Sequence, residues 1–94
     1  MQFEGIWTPI VTPYHADFSV NEEALAETVE LLIAGGVHGI ISAGTTGEYY
    51  AQDFDERVWL AERINALIKG RVPLVVGTGA LRTEDSIAYA EMAR

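Results

Sequence analysis

Cysteine is absent from the 94-residue sequence, so disulfides, thiolate metal sites and a thiol nucleophile are excluded. Basic residues are scarce. Six Lys and Arg stand against 14 Asp and Glu, a net charge of −8 with both histidines neutral. A surface that neutralises phosphates needs the opposite sign, which argues against nucleic acid and anionic membranes as partners. No apolar run approaches the roughly 20 residues of a bilayer-spanning helix. The start, Met1-Gln2-Phe3-Glu4-Gly5, lacks the basic and apolar stretches of a secretion signal, so a cytoplasmic location is expected. The two histidines, His15 and His38, are isolated from any carboxylate cluster, and no metal is expected.

Apolar residues, by contrast, are plentiful. They make up 49% of the chain, too large a share for a disordered one. Three apolar runs, over 6–11, 39–43 and 74–77, are short and continuous, as in parallel strands covered on both faces. A helical pattern covers about 22–34, with Leu25, Val29, Leu32 and Ile33 on one face. Asn21 or Ser19 can cap its start, and Gly35-Gly36 can end it. A second helix is predicted over about 54–69, with the stripe Leu60, Ile64, Leu67 and Ile68. Asp53 and Glu56 stand at capping-box spacing before it, and Gly70 stops it. A third starts at about residue 84, just after Thr83, and still runs at Arg94. Trp7 and Trp59 are expected in the core or between helices.

The order is βαβαβα with a regular repeat. Gly5 and Gly39 are 34 residues apart, and Gly39 and Pro73 another 34. Such a unit holds one strand and one return helix, and right-handed crossovers lay the strands side by side in parallel. The expected class is α/β of the (βα)₈ TIM-barrel type. Since a full barrel takes about 250 residues, residues 1–94 are read as the N-terminal three-eighths of a single barrel domain. The alternative is a non-catalytic α/β fragment that self-associates through its open strand edges.

The βα connections, 12–20 and 44–52, are long, and the αβ connections short. In α/β folds ligands bind at the loops after the strands' carboxyl ends. The most informative of these loops is Gly44-Thr45-Thr46-Gly47-Glu48. Its glycines permit close backbone approach, and its hydroxyls and N–H groups suit a small anion such as a carboxylate. A plain strand-to-helix turn with self-bonded threonines gives the same pattern. The loop is not a P-loop, because it lacks both the spacing and the lysine. Gly77-Thr78-Gly79-Ala80-Leu81-Arg82 begins like a dinucleotide fingerprint but has Arg82 where the third glycine belongs. No cofactor is expected.

Taken together, Thr8-Pro9-Ile10-Val11-Thr12-Pro13-Tyr14, Gly44-Thr45-Thr46-Gly47-Glu48 and Val75-Val76-Gly77-Thr78-Gly79 resemble, in this order and with these gaps, the N-terminal part of the dihydrodipicolinate synthase/N-acetylneuraminate lyase family. The resemblance runs from Gly5 to about Met92. It implies a (βα)₈-barrel class I aldolase, a Schiff-base-forming lyase or synthase that uses pyruvate in aldol condensation or cleavage with an aldehyde. A 2-keto-3-deoxy sugar acid aldolase or dehydratase of the same family is the alternative. By position, Thr45 matches the family's proton-relay hydroxyl and Thr46 its main carboxylate ligand, with Gly44 and Gly47 shaping the loop. The partners implied are a small 2-keto acid and an aldehyde, and a homo-oligomer when full length.

Two of the family's chemical groups have no match here. Its Schiff-base lysine and catalytic tyrosine correspond to positions beyond residue 94. Lys69, the one lysine, falls at the end of the second helix, on the side opposite the βα loops, and Tyr14, Tyr49, Tyr50 and Tyr89 do not match the tyrosine. The chain alone is therefore expected to be inactive. Lysine-inhibited members carry histidines and an asparagine around a regulatory pocket. The matching positions here are Phe54, Arg57 and Leu81, so feedback by lysine is not expected. Among the remaining residues, His15 reads as a solvated loop histidine and His38 as structural. Glu48 reads as a loop-orienting acid, and Tyr49 and Tyr50 as lining either a pocket or a subunit contact. The acids at helix starts compensate helix dipoles.

Overall fold

Two of the three helices begin where a side chain can satisfy their first free N–H groups. Helix α1 spans Glu22–Ala34, and Asn21 in extended conformation accepts from the Ala24 N–H at 3.0 Å. Of the two residues able to cap it, Asn21 does so. Ser19 instead gives both its N–H and its hydroxyl to Asp17, at 3.1 and 2.6 Å. Those two bonds, with the nearby His15, hold the Asp17 carboxyl below the usual aspartate range. Helix α2 spans Phe54–Ile68 and is capped by Asp53, whose carboxylate accepts from the Glu56 N–H at 2.8 Å. Asp53→Ala is expected to lower stability by about 1 kcal/mol, the usual worth of such a cap. Urea unfolding checks it, and an unchanged midpoint would show the helix start held by other contacts. Helix α3 spans Thr83–Ala93 and starts at Arg82 without a side-chain cap.

The computed structural model describes residues 5–44 and 46–94. The strands are β1 (Trp7–Pro9), β2 (Gly39–Ser42) and β3 (Leu74–Val76), and a 3₁₀ turn covers Tyr49–Ala51. They form one parallel sheet in the order β1-β2-β3, with Thr8, Ile40 and Leu74 in register. Each strand is shorter than its apolar run. Pro9 has no N–H for the ladder and closes β1, while Ala43 turns left-handed at φ 58° and ends β2. Helix α2 likewise ends one residue early, because Lys69 adopts the left-handed C-cap at φ 56°.

Alternation along the strands divides the residues between two faces. Ile10, Ile40 and Leu74 meet Leu25 and Val29 of α1 and Leu60, Ile64 and Ile68 of α2, and these make up the core. Among the described residues, no helix covers the other face, which carries Pro9, Ile41 and Val75 and is half-buried at best. The expectation of cover on both faces therefore holds for one face only. A continuous apolar run reports that both faces avoid water, but not what covers the second. Of the two places expected for Trp59, the core is excluded. It is 39% exposed in a cleft it shares with Phe18, Val20 and Glu22 at the start of α1, whereas the half-buried Trp7 ring lies over Gly39, where a Cβ would sit 2.2 Å from it.

At the sheet's amino end, His38 Nδ1 accepts from the Ile6 N–H at 2.9 Å, the structural part expected of it. Arg71 follows α2 and donates to the Leu67 and Ile68 carbonyls, which the helix end leaves free. Its guanidinium also forms a two-pronged pair with Glu30 of α1, at 2.7 and 2.9 Å. The pair lowers the Glu30 pKa and raises that of Arg71.

Candidate functional site

The βα loops gather at the carboxyl end of the sheet. The first loop is a closed hairpin rather than an open coil. Tyr14 bridges Val20, the His15 N–H bonds the Ser19 carbonyl at 2.7 Å, and the Asn21 N–H bonds the Pro13 carbonyl at 2.9 Å. The fold thereby brings Thr12 and Tyr14 to the second loop and leaves His15 exposed at the hairpin tip.

The second loop leaves β2 through the left-handed Ala43 and folds on the Gly44 carbonyl, which accepts from the N–H groups of Gly47 at 3.1 Å and Tyr49 at 3.5 Å. Its two glycines have different reasons to be there. A Cβ on Gly47 would lie 2.9 Å from the Ile10 carbonyl oxygen and 3.3 Å from Thr12 Oγ1, so a side chain there collides with the exit of β1. A Cβ on Gly44 would meet nothing closer than 3.9 Å, and the part Gly44 plays is its carbonyl. Thr46 is exposed, and Gly47 is buried beneath the loop. Thr45 lies outside the described residues. Glu48 sits exposed in the left-handed region at φ 62° and starts the 3₁₀ turn, its carbonyl accepting from the Ala51 N–H.

One polar cluster was not foreseen. The Thr12 hydroxyl, 5% exposed, donates to the Gly47 carbonyl at 2.8 Å. Gln52, 8% exposed, aims its amide nitrogen at the same carbonyl at 3.1 Å, at Thr12 Oγ1 at 3.3 Å and at the Tyr14 hydroxyl at 2.9 Å. Nothing in the sequence marked Gln52, since an amide before a helix cap is common in loops.

The third loop is held by Arg57, 3% exposed on the inner face of α2. Its guanidinium donates to the Gly77 carbonyl at 2.7 Å and the Gly79 carbonyl at 2.8 Å. It also lies 3.6 Å from the Tyr89 ring centre and 5.2 Å from that of Tyr49. Phe54 stacks on the far side of Tyr89 at 5.0 Å, and Ser86 of α3 donates to the Thr78 carbonyl at 2.6 Å. A cavity of about 210 Å³ opens beside this stack, lined by Tyr49, Tyr50, Arg57, Leu81 and Asp85 among others. Lys69 is exposed at the C-terminal end of α2, the end that feeds the amino end of β3, across the sheet from all three loops.

Three parallel strands with outer return helices, and long loops at one end, are the first three βα units of a (βα)₈ barrel. The profile of the Dihydrodipicolinate synthetase family matches residues 2–94. The chain belongs to that family. It is 40% identical over 91 residues to 4-hydroxy-tetrahydrodipicolinate synthase of Thioalkalivibrio sulfidiphilus, covering 97% of this chain and 31% of that protein. Among solved structures it resembles dihydrodipicolinate synthase of Acinetobacter baumannii, determined with pyruvate. The TM-score is 0.94 at 32% identity, over 98% of this chain and 32% of that one. N-acetylneuraminate lyase of Mycoplasma synoviae matches with a TM-score of 0.87 at 28% identity, over 97% of this chain and 32% of the other. The chain thus spans about a third of the length of the relatives it matches, their N-terminal portion.

Proposed function

We propose that this chain supplies the carboxylate-holding loop of a pyruvate-dependent, Schiff-base-forming lyase or synthase, of the 4-hydroxy-tetrahydrodipicolinate synthase kind. The observation that carries this reading is the loop from Gly44 to Gly47. It is closed on the Gly44 carbonyl at the mouth of β2, in a chain whose family match runs over nearly its whole length. In this reading residues 1–94 are the first three-eighths of one barrel domain. Thr46 is the main ligand of the 2-keto acid carboxylate and Thr45 the relay hydroxyl, while Gly44 and Gly47 set the loop's shape. Holding the carboxylate fixes where the adjacent keto carbon lies, and the acceleration comes from presenting that carbon to the attacking amine in a fixed geometry. The amine itself comes from outside these 94 residues, because Lys69 is at the wrong end of the sheet. The chain alone is then inactive, and it works in the cytoplasm as part of a larger homo-oligomer.

The resemblance to an N-acetylneuraminate lyase supports a second reading, a 2-keto-3-deoxy sugar acid aldolase or dehydratase with the same carboxylate loop. Lysine is not a feedback effector in either reading. What supports this is position alone, since Phe54, Arg57 and Leu81 stand where lysine-inhibited members carry histidines and an asparagine. Self-association of the chain alone, through its open β1 and β3 edges, remains the non-catalytic alternative.

Two measurements test the proposal together. Ligand-observed NMR is expected to show saturable pyruvate binding that Thr46→Val weakens about tenfold, the usual cost of a lost hydrogen bond to a charged group. Borohydride added with pyruvate is expected to leave the intact mass unchanged. Absence of pyruvate binding, or a stoichiometric adduct at Lys69, would overturn the reading.

A further inference from the structure

We infer that Gln52 is the positioning residue of the carboxylate loop, and that it works by tying the loop to the hairpin that follows β1. The inference rests on the reading above and adds a residue to it. Gln52 is the last residue of the second βα connection, five positions beyond the turn it holds. It follows the 3₁₀ turn and precedes the Asp53 cap of α2, so the start of that helix holds its backbone in place. Its side chain is buried, and burial of an amide is costly unless its hydrogen bonds are made.

The direction of each bond follows from what the partners can do. The Gly47 carbonyl only accepts, so the amide must turn its NH₂ towards it. The Thr12 proton is committed to the same carbonyl, which leaves Thr12 Oγ1 to accept from Gln52. The Tyr14 hydroxyl accepts from the same nitrogen, whose two hydrogens are shared among the three acceptors, and Gln52 Oε1 has no partner among the described residues. All the bonding of the side chain therefore runs through one end of the amide. That end spans the β1 exit at Thr12, the hairpin at Tyr14 and the last residue of the Gly44–Gly47 turn.

Among the described residues, the backbone of the turn gives itself little support. Ala43 and Glu48, on either side of it, are both left-handed without being glycine, a conformation that costs about 1 kcal/mol or more per residue. Within the turn, the Gly44 carbonyl takes N–H bonds of 3.1 and 3.5 Å, the second at the limit of a useful length. The turn is thus bent by local strain and needs an outside anchor. Gly47 is where that anchor acts, with Thr12 and Gln52 both bonded to its carbonyl and the Ile10 carbonyl oxygen standing 2.9 Å from where a Cβ would be.

The consequence is specific. Removing the Gln52 amide should leave the fold in place and let the turn wander, so that pyruvate is held less tightly. Gln52→Met keeps the side chain's length and removes its donors. It is expected to raise the pyruvate dissociation constant about tenfold, the cost of losing two or three modest hydrogen bonds from a preorganised site. Tyr14→Phe removes one acceptor and is expected to raise it about two- to threefold. Hydrogen exchange at the Gly47 and Tyr49 amides should quicken in Gln52→Met while exchange in α1 stays slow. A third variant gives a readout that a merely structural role would not move. Gln52→Glu presents a carboxylate to the Gly47 carbonyl at neutral pH and a donating carboxyl once protonated. Its pyruvate affinity should recover as the pH falls towards about 5, since burial lifts a glutamate above its usual value near 4.3.

Isotope-labelled chain, titrated with pyruvate for all four proteins, settles the matter. Weaker binding in Gln52→Met with faster exchange confined to the turn, and recovery of Gln52→Glu on acidification, are the results expected. Equal pyruvate affinity in wild type and Gln52→Met would overturn the inference while leaving the pyruvate reading standing. Absence of pyruvate binding in the wild type itself would sink that reading and the ligand part of the inference with it. The exchange rates then still decide whether Gln52 holds the turn. Exchange that quickens throughout the chain would reduce Gln52 to an ordinary stabilising residue and overturn the positioning role.

Discussion

Arg57→Ala is expected to destabilise the protein by about 3 kcal/mol, lowering the melting temperature by roughly 12–24 °C for a domain of this size. Three losses add up. The guanidinium makes two charge-assisted bonds, to the Gly77 and Gly79 carbonyls, of a type worth about 1.5–3 kcal/mol each when shielded from water. Both carbonyls are partly open to solvent, so water recovers some of this once the arginine is gone. Stacking on Tyr89 at 3.6 Å adds about 1 kcal/mol. The aliphatic stem fills space on the inner face of α2 that alanine leaves empty. Arg57→Lys separates these contributions, because it keeps the charge and most of the stem but has no fork to span two carbonyls. It should recover less than half of the loss. Thermal unfolding followed by circular dichroism reads both variants, and a lysine variant as stable as wild type would show that charge, not geometry, holds the third loop.

The second large effect is expected at Gly77. A Cβ there would lie 2.3 Å from the Ala43 carbonyl oxygen, 2.9 Å from its carbonyl carbon and 3.1 Å from the Ser42 oxygen. These are backbone atoms of the neighbouring strand end, and they cannot rotate away as a side chain would. The Gly77 N–H also donates to the Ser42 carbonyl at 2.7 Å, so the two strand ends are drawn together where the new atom would push them apart. Gly77→Ala should cost about 3 kcal/mol, the upper end of overpacking penalties, because no low-energy adjustment is open. If the proposed function holds, it should also weaken pyruvate binding, since the displaced Ala43 leads directly into Gly44. Gly70→Ala is the control. It has a left-handed φ of +73° and no atom within 4 Å of the added Cβ, so only backbone strain of about 1 kcal/mol applies. Equal losses in the two alanine variants, measured by urea unfolding, would refute the steric account.

Much of this architecture was legible from residue order alone. The stripe Leu25, Val29, Leu32, Ile33 placed α1 with both boundaries, because a helix repeats every few residues and its caps are local chemistry. The 34-residue repeat placed the strands in parallel, and the sheet order follows from right-handed crossovers. Arg57 was not legible as the anchor of the third loop. It lies on the same inner face as Leu60, Ala61, Ile64 and Ile68, where a cation must find partners. Those partners are two carbonyls about twenty residues further on, which no local pattern announces.

What the sequence determined by itself is therefore the class of fold and the family. Each of these rests on spacing within a few residues or on the order of motifs along the chain. Only the tertiary structure decided that Gly47 rather than Gly44 must be glycine, that Thr12, Tyr14 and Gln52 form one cluster, and that among the described residues the sheet carries helices on a single face. Those facts depend on contacts between residues as far as 40 positions apart. Such contacts have no period and no local signature. They exist because three strands bring three loops to one end, and a buried polar group there takes whichever partners the fold puts within reach.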